Sequence, residues 1–203
     1  MSVPEPERTG RGGRPRDPSR DEVIRAAIRE VLARDGYAGL TMDAVATEAG
    51  VGKATICRRW RTKSDLVADA VGDLSNAEFQ TPDTGSIEGD LRVLLRGLVS
   101  AVNGPLGAAT LALLSALPHE PELREAFQAG PMGQMSQAYR AVWSRAVERG
   151  EVDEGVLGSA IASSASSPIL QRWLFGNQKV DEAFADEILS DVVLPLIRTA
   201  PES

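Results

Sequence analysis

Five cations fall within eleven residues of this 203-residue chain: Lys53, Arg58, Arg59, Arg61 and Lys63. Ammonium and guanidinium groups at that density neutralise phosphate oxygens, while the small neighbours Ala54, Thr55 and Cys57 leave room for approach to base edges. The chemistry is recognition of a polyanion rather than bond making. With one His and one Cys, His119 and Cys57, and no Gly-x-Ser-x-Gly elbow, the common triads and metal sites have little to be built from. Neither metal, cofactor nor catalysis is expected. Gly50-Val-Gly-Lys53 imitates part of a phosphate-binding loop, but that loop needs glycine where Thr47 stands and Ser or Thr where Ala54 stands.

Two short helices around a turn must hold these cations. Thr41 has the hydroxyl to cap the first, and Asp43 suits the positive end of its dipole. Val45, Ala46 and Ala49 share a face. Gly50 ends the helix by taking a left-handed backbone conformation cheaply, and Val51 plugs the crossing. The second helix begins near Gly52 or Lys53, with Ile56 and Trp60 four apart and directed inward. Its other face then carries Lys53, Ala54, Thr55, Cys57, Arg58 and Arg59, small groups towards the amino end and guanidinium groups beyond. Thr62 or Ser64 can cap a further helix, whose free amides beside Lys63 are expected to take one more phosphate. A solvated charged face on a plain helical hairpin is the competing reading, and the one-sidedness of the cations argues against it.

Residues 19 to 70 resemble the amino-terminal domain of the tetracycline-repressor (TetR) family of bacterial transcription regulators. The residues that carry the resemblance are Gly36-Tyr37, Leu40-Thr41, Val45-Ala46, Ala49-Gly50-Val51, Lys53-Ala54-Thr55-Ile56, Arg59-Trp60 and Lys63-Ser64-Asp65-Leu66. The resemblance implies an all-α fold: a three-helix helix-turn-helix head on a larger helical body that dimerises and binds a small inducer. It also implies that Lys53, Ala54 and Thr55 lie nearest the bases, with Thr41, Arg59 and Lys63 on phosphates. Cys57 departs from the family's usual tyrosine, and Arg58 and Arg59 are the residues that can replace its contact. Repression of an operator in the cytoplasm, at the bacterial nucleoid, is the implied role.

The overall charge of −7 argues against a DNA partner until it is divided along the chain. Residues 1 to 65 carry 13 Lys and Arg against 10 Asp and Glu, a net +3; residues 66 to 203 carry 9 against 19, a net −10. A basic head and an acidic body follow. Residues 97 to 118 contain no charge, yet Asn103, Gly104, Pro105 and Gly107 interrupt them, so two buried helices are expected rather than a membrane span. A single cysteine gives no disulfide and suits a reducing compartment.

Three segments are expected: a flexible basic arm over 1–18, the DNA-binding head over 19–66, and a helical ligand-binding and dimerisation body over 67–203. Arg14 and Arg16 in the arm match the guanidinium groups that enter a narrow minor groove, although a solubilising tail has the same composition. Ser19-x-x-Glu22 reads as a capping box opening the first helix, which Gly36 ends. Thr81 to Gly85 reads as a linker.

In the body, helices are expected over about 132–149, 153–175 with a kink at Pro168, and 181–198. Phe127, Met132, Met135, Tyr139, Trp143 and Trp173 form an apolar and aromatic set that either lines a pocket for a greasy inducer or is plain core. Ile161, Ile169, Leu189, Val192, Val193 and Leu196, on the last two long segments, match the family's homodimer interface; the alternative is an intramolecular core. A DNA-binding dimer without an inducer remains open, as does, more remotely, an enzyme on a helical scaffold.

Overall fold

A computed structural model describes residues 18–78, 80–176 and 179–198, which form helices joined by turns and loops and contain no strand. Arg14 and Arg16 lie outside the described residues. Helix α1 runs Pro18–Gly39 and is bent at Gly36, whose φ of 66° only glycine adopts without strain. It is helical from Pro18 on, Ser19 included, and the Glu22 carboxylate receives Arg29 at 2.7 Å. Helix α2, Met42–Glu48, is capped by Thr41, whose hydroxyl accepts from the Ala44 amide at 3.0 Å. Gly50 turns the chain with φ 63°, and α3, Lys53–Arg59, follows from Gly52.

Helix α4, Lys63–Glu78, belongs to head and body alike. Leu66, Val67, Ala70 and Val71 pack in one cluster with Ile28, Leu32, Ile56 and Trp60 of the head and with Leu106, Leu113 and Phe127 of the body. The boundary expected between residues 66 and 67 therefore falls inside a continuous helix and a continuous core.

Ser86 caps α5, Ile87–Asn103, and α6, Pro105–Leu114, turns away from it by 65°. Gly107 permits that close corner, since a Cβ there would stand 2.1 Å from the Val102 carbonyl oxygen. Among the described residues no single helix is long and apolar enough to cross a membrane. The linker before α5 is tied down by Asp90, which is fully buried. Its carboxylate accepts from the Thr84 amide at 2.6 Å and hydroxyl at 2.8 Å, and lies 3.4 Å from Arg149.

Helix α7 runs Pro121–Phe127, and the chain does not break after it at Gly130-Pro131. The chain stays helical there through a wider π turn over Gln128–Met132 and enters α8, Gly133–Glu148. A proline inside a helix lacks the amide for the usual bond, and Pro131 falls within the wider turn. The last segment does the same. A π turn over Ile188–Val193 joins α11, Glu182–Glu187, to α12, Leu194–Arg198, just where Pro195 enters.

The helix expected over 153–175 is three pieces: a 3-10 turn over Glu154–Val156, α9 over Ala160–Ser164 and α10 over Ser167–Phe175. Gly158, at φ 72°, makes the first break. Pro168 stands in the first turn of α10, where a missing amide costs nothing, instead of kinking a continuous helix. Leu91, Leu95, Val142, Trp143, Ile169, Leu189 and Val193 form the second core.

Candidate nucleic-acid interface and body cavity

The turn between α2 and α3 buries Ile56 completely and leaves Trp60 4% exposed, and this fixes the rotation of α3. Lys53, Ala54, Cys57, Arg58 and Arg59 consequently face solvent, with Thr55 half-buried beside them. Thr41 is exposed at the start of α2. The stretch thus presents one polar face, as its spacing predicts, but the cations on it are not equivalent.

Lys53 donates to Asp43 at 2.7 Å, and that bond and charge hold its ammonium above the usual lysine range. The Arg59 guanidinium is turned back to the Asp21 carboxylate of α1 and lies 4.8 Å from the Trp60 ring centroid. Lys63 sits 3.9 Å from the centre of the Tyr37 ring, half-buried, and loss of water pulls its pKa down. Arg58 and Arg61, by contrast, are exposed, and their guanidinium groups meet no acid among the described residues.

The phosphate expected at the start of α4 has a competitor within the chain. The Asp65 carboxylate accepts from the amides of Arg61 at 3.1 Å and Thr62 at 3.0 Å, while the Asp65 amide donates to the Thr62 hydroxyl at 3.1 Å. This reciprocal cap occupies the donors with an anion of the protein's own. The acids Asp21, Asp43 and Asp65 are what the sequence reading missed. From the sequence, Asp43 reads only as an acid at a helix start.

Away from the head, a cavity of about 490 Å³ opens between α5, α6, α7, the first π turn, α8 and α10. Of the residues expected to line a pocket, Phe127, Met132, Met135 and Trp173 do so. Tyr139 and Trp143 do not. They are buried further along the same face of α8, against a second hollow bordered by Gly158, Ala162 and Ser166, and neither the Tyr139 hydroxyl nor the Trp143 Nε1 finds a partner among the described residues. Burial pushes the Tyr139 hydroxyl pKa up.

Leu98, Leu106, Thr110, Leu114 and Leu170 complete much of the cavity wall. For all of these but Leu170 the signal lay in the uncharged run over 97–118. A helix without a polar face is expected to meet protein or a cavity over much of its surface, although Leu111 and Leu114 of α6 stay partly exposed. Leu106 and Phe127 lie both on this wall and in the core that holds the head.

The residues expected at a dimer interface divide by depth. Ile169, Leu189 and Val193 are fully buried within the single chain, which puts them out of reach of a partner. Ile161 is half-buried against the same core. Val192 and Leu196 stay 37% and 39% exposed, one helical turn apart, and Phe175 at the end of α10 is 84% exposed. Sequence periodicity gave the apolar face but not which of its residues lie deepest.

A small helix-turn-helix head with an outward polar face, sharing its core with a helical body that encloses an apolar cavity, defines a DNA-binding regulator with a ligand-binding domain. Comparison with known proteins makes the class specific. Residues 24–70 match the model of the bacterial regulatory proteins of the tetR family, and residues 81–192 match the tetracyclin repressor-like C-terminal domain. The DNA-binding transcriptional repressor TetR of Mycobacteroides abscessus is 32% identical over 90% of this chain and 96% of that protein. Among solved structures, the TetR family transcription regulator SCO0332 superposes with a TM-score of 0.69 at 25% identity, covering 91% of this chain and all of that one. FadR of Bacillus subtilis, solved in complex with stearoyl-CoA, has the same fold, with a TM-score of 0.68 at 19% identity over 85% of this chain and 97% of that one. The chain belongs to the TetR family of transcriptional regulators, a family of DNA-binding proteins rather than enzymes.

Proposed function

We propose that the protein is a repressor that binds a palindromic DNA operator as a homodimer and leaves it when an apolar small molecule fills the body cavity. The observation that carries this reading is the double membership of Leu106 and Phe127. They form part of the cavity wall and of the core against which α1 and α4 are packed. A molecule that moves these side chains changes the seat of the head, and DNA affinity falls by the same coupling factor by which DNA weakens ligand binding. Support for repression comes from the relative in Mycobacteroides abscessus, named as a repressor. Support for an apolar ligand comes from the lining and from the stearoyl-CoA held by FadR.

Two heads are required to read two half-sites about one helical turn of DNA apart, roughly 34 Å. The exposed pair Val192 and Leu196, with Phe175, supplies an apolar surface on the last helices through which two chains can join. Lys53, Ala54, Thr55 and Cys57 are then nearest the bases, with Thr41, Arg58, Arg59 and Lys63 towards the phosphates, and Arg14 and Arg16 reach the neighbouring minor groove. Such a protein acts in the bacterial cytoplasm, on the nucleoid.

The test begins by mapping where the protein sits on its own genome. The recovered operator is then titrated by fluorescence anisotropy in the presence and absence of apolar compounds that raise the melting temperature. Dimers that bind the site and are released by a stabilising compound support the proposal. Binding that no stabilising compound weakens points to a regulator without an inducer.

A further inference from the structure

We infer that the ligand of the body cavity is an amphiphile with a straight apolar chain and an anionic head, and that Arg124 is the residue that selects the head. This rests on the reading of that cavity as the inducer site.

The lining is hydrocarbon, thioether and aromatic except for three side chains, Thr110, Arg124 and Gln128. Arg124 and Gln128 stand one turn apart, on α7 and the π turn that continues it, so they share an edge of the cavity. Arg124 also marks which end this is. Its guanidinium donates to the Leu117 carbonyl at 3.4 Å, placing it beside Leu117 and Pro118, beyond the carboxyl end of α6. The opposite end, at the start of α6, presents Leu106 and Gly107, neither of them polar.

Arg124 meets no carboxylate within ion-pairing distance among the described residues, although Glu120, Glu122 and Glu125 lie close by in sequence. Its one long hydrogen bond to a neutral carbonyl leaves most of the planar donor fork available for a carboxylate or phosphate. A cation with donors to spare at the mouth of an apolar cavity selects a ligand that is greasy along its length and negative at one end.

Dimensions set the chain. Helix α6, along which the cavity runs, has ten residues and is about 15 Å long. A zigzag of carbon–carbon bonds of about 1.5 Å covers that distance with roughly twelve carbons.

The experiment is isothermal titration of the full-length protein with fatty acids and the corresponding alcohols of eight to sixteen carbons, below their aggregation thresholds. The wild type is compared with R124Q, a change at an exposed residue that leaves the core untouched. Expected are one ligand per chain, a preference for the acid over the alcohol of about tenfold in the wild type, and equal affinities in R124Q. Equal binding of acid and alcohol by the wild type, or a preference that persists in R124Q, overturns the role of Arg124 and leaves the apolar site standing. Failure of every acid and alcohol to bind at one per chain overturns both this inference and the reading of the cavity on which it rests.

Discussion

The Arg59 guanidinium of α3 is held by the Asp21 carboxylate of α1 while it lies against the Trp60 ring, so the cation at the end of the DNA-reading helix also fastens that helix to the head. A guanidinium so engaged has less freedom to reach a phosphate than Arg58 or Arg61, which are exposed and meet no acid among the described residues. Replacing either of these with Ala is expected to weaken binding to all DNA sequences and to lower the slope of log affinity against log salt by about one. R59A is expected to lower the slope by less and to cost the head about 1 kcal/mol, because a half-exposed ion pair and a ring contact are lost. Anisotropy titrations at several salt concentrations, with a thermal melt of each variant, separate the two effects. A full unit lost from the slope in R59A, with stability unchanged, would place Arg59 on the DNA instead.

Lys53 and Asp43 form the other pair on this face, both exposed, and the carboxylate fixes where the ammonium points. K53A is expected to change the preferred operator, because the side chain stands at the amino end of α3 where bases are read. D43N is expected to act differently. Removing a negative charge beside the phosphates strengthens binding to unrelated DNA and narrows the gap between operator and bulk sequence. Selection from random DNA followed by competition titration measures both, and an unaltered site for K53A would remove Lys53 from the reading surface.

The head was legible because its determinants are local. The Thr41 cap, the Gly50 turn and the buried pair Ile56 and Trp60 each act within about four residues, and each is found in place. Where the cations point was not legible. Asp21 and Tyr37, which turn Arg59 and Lys63 aside, come from another helix and meet them only after the head has folded. The cavity divided for a similar reason. A 3.6-residue period shows that Met135, Tyr139 and Trp143 share a face of α8, but two hollows border that face, and only Met135 reaches the one that also holds Phe127 and Trp173. Proline was misread at Pro168, which begins a new helix instead of kinking a continuous one.

Depth on the last helices yields a prediction that separates folding from assembly. Val192 and Leu196 are partly exposed, whereas Leu189 and Val193, on the same segment, are completely buried. V192D or L196D is therefore expected to give a folded monomer that has lost operator binding, with a helical circular dichroism spectrum and a halved mass in sedimentation. L189A leaves a cavity in the body core and is expected to cost about 3 kcal/mol while leaving the surface for a partner unaltered. A V192D protein that still sediments as a dimer would move the interface elsewhere.

Asp90 provides the pH test. Burial disfavours its charge, but the Thr84 amide, the Thr84 hydroxyl and the Arg149 guanidinium outweigh that effect, and its carboxyl lies below the ordinary aspartate value. A carboxyl depressed on folding stabilises the protein fully above its unfolded value of about 3.9, and this contribution disappears as pH falls through the lower folded value. Removing the charge while Arg149 and Arg145 remain beside it leaves cations without their buried partner, so D90N is expected to cost about 3 kcal/mol at pH 7. The penalty should shrink in acid, where the wild type also loses the charge. Urea midpoints of the two proteins, compared from pH 7 down to pH 3, ought to converge at the acid end. Parallel curves would mean that Asp90 acts through its hydrogen bonds to Thr84 alone and that the tie between linker and body does not depend on its ionisation.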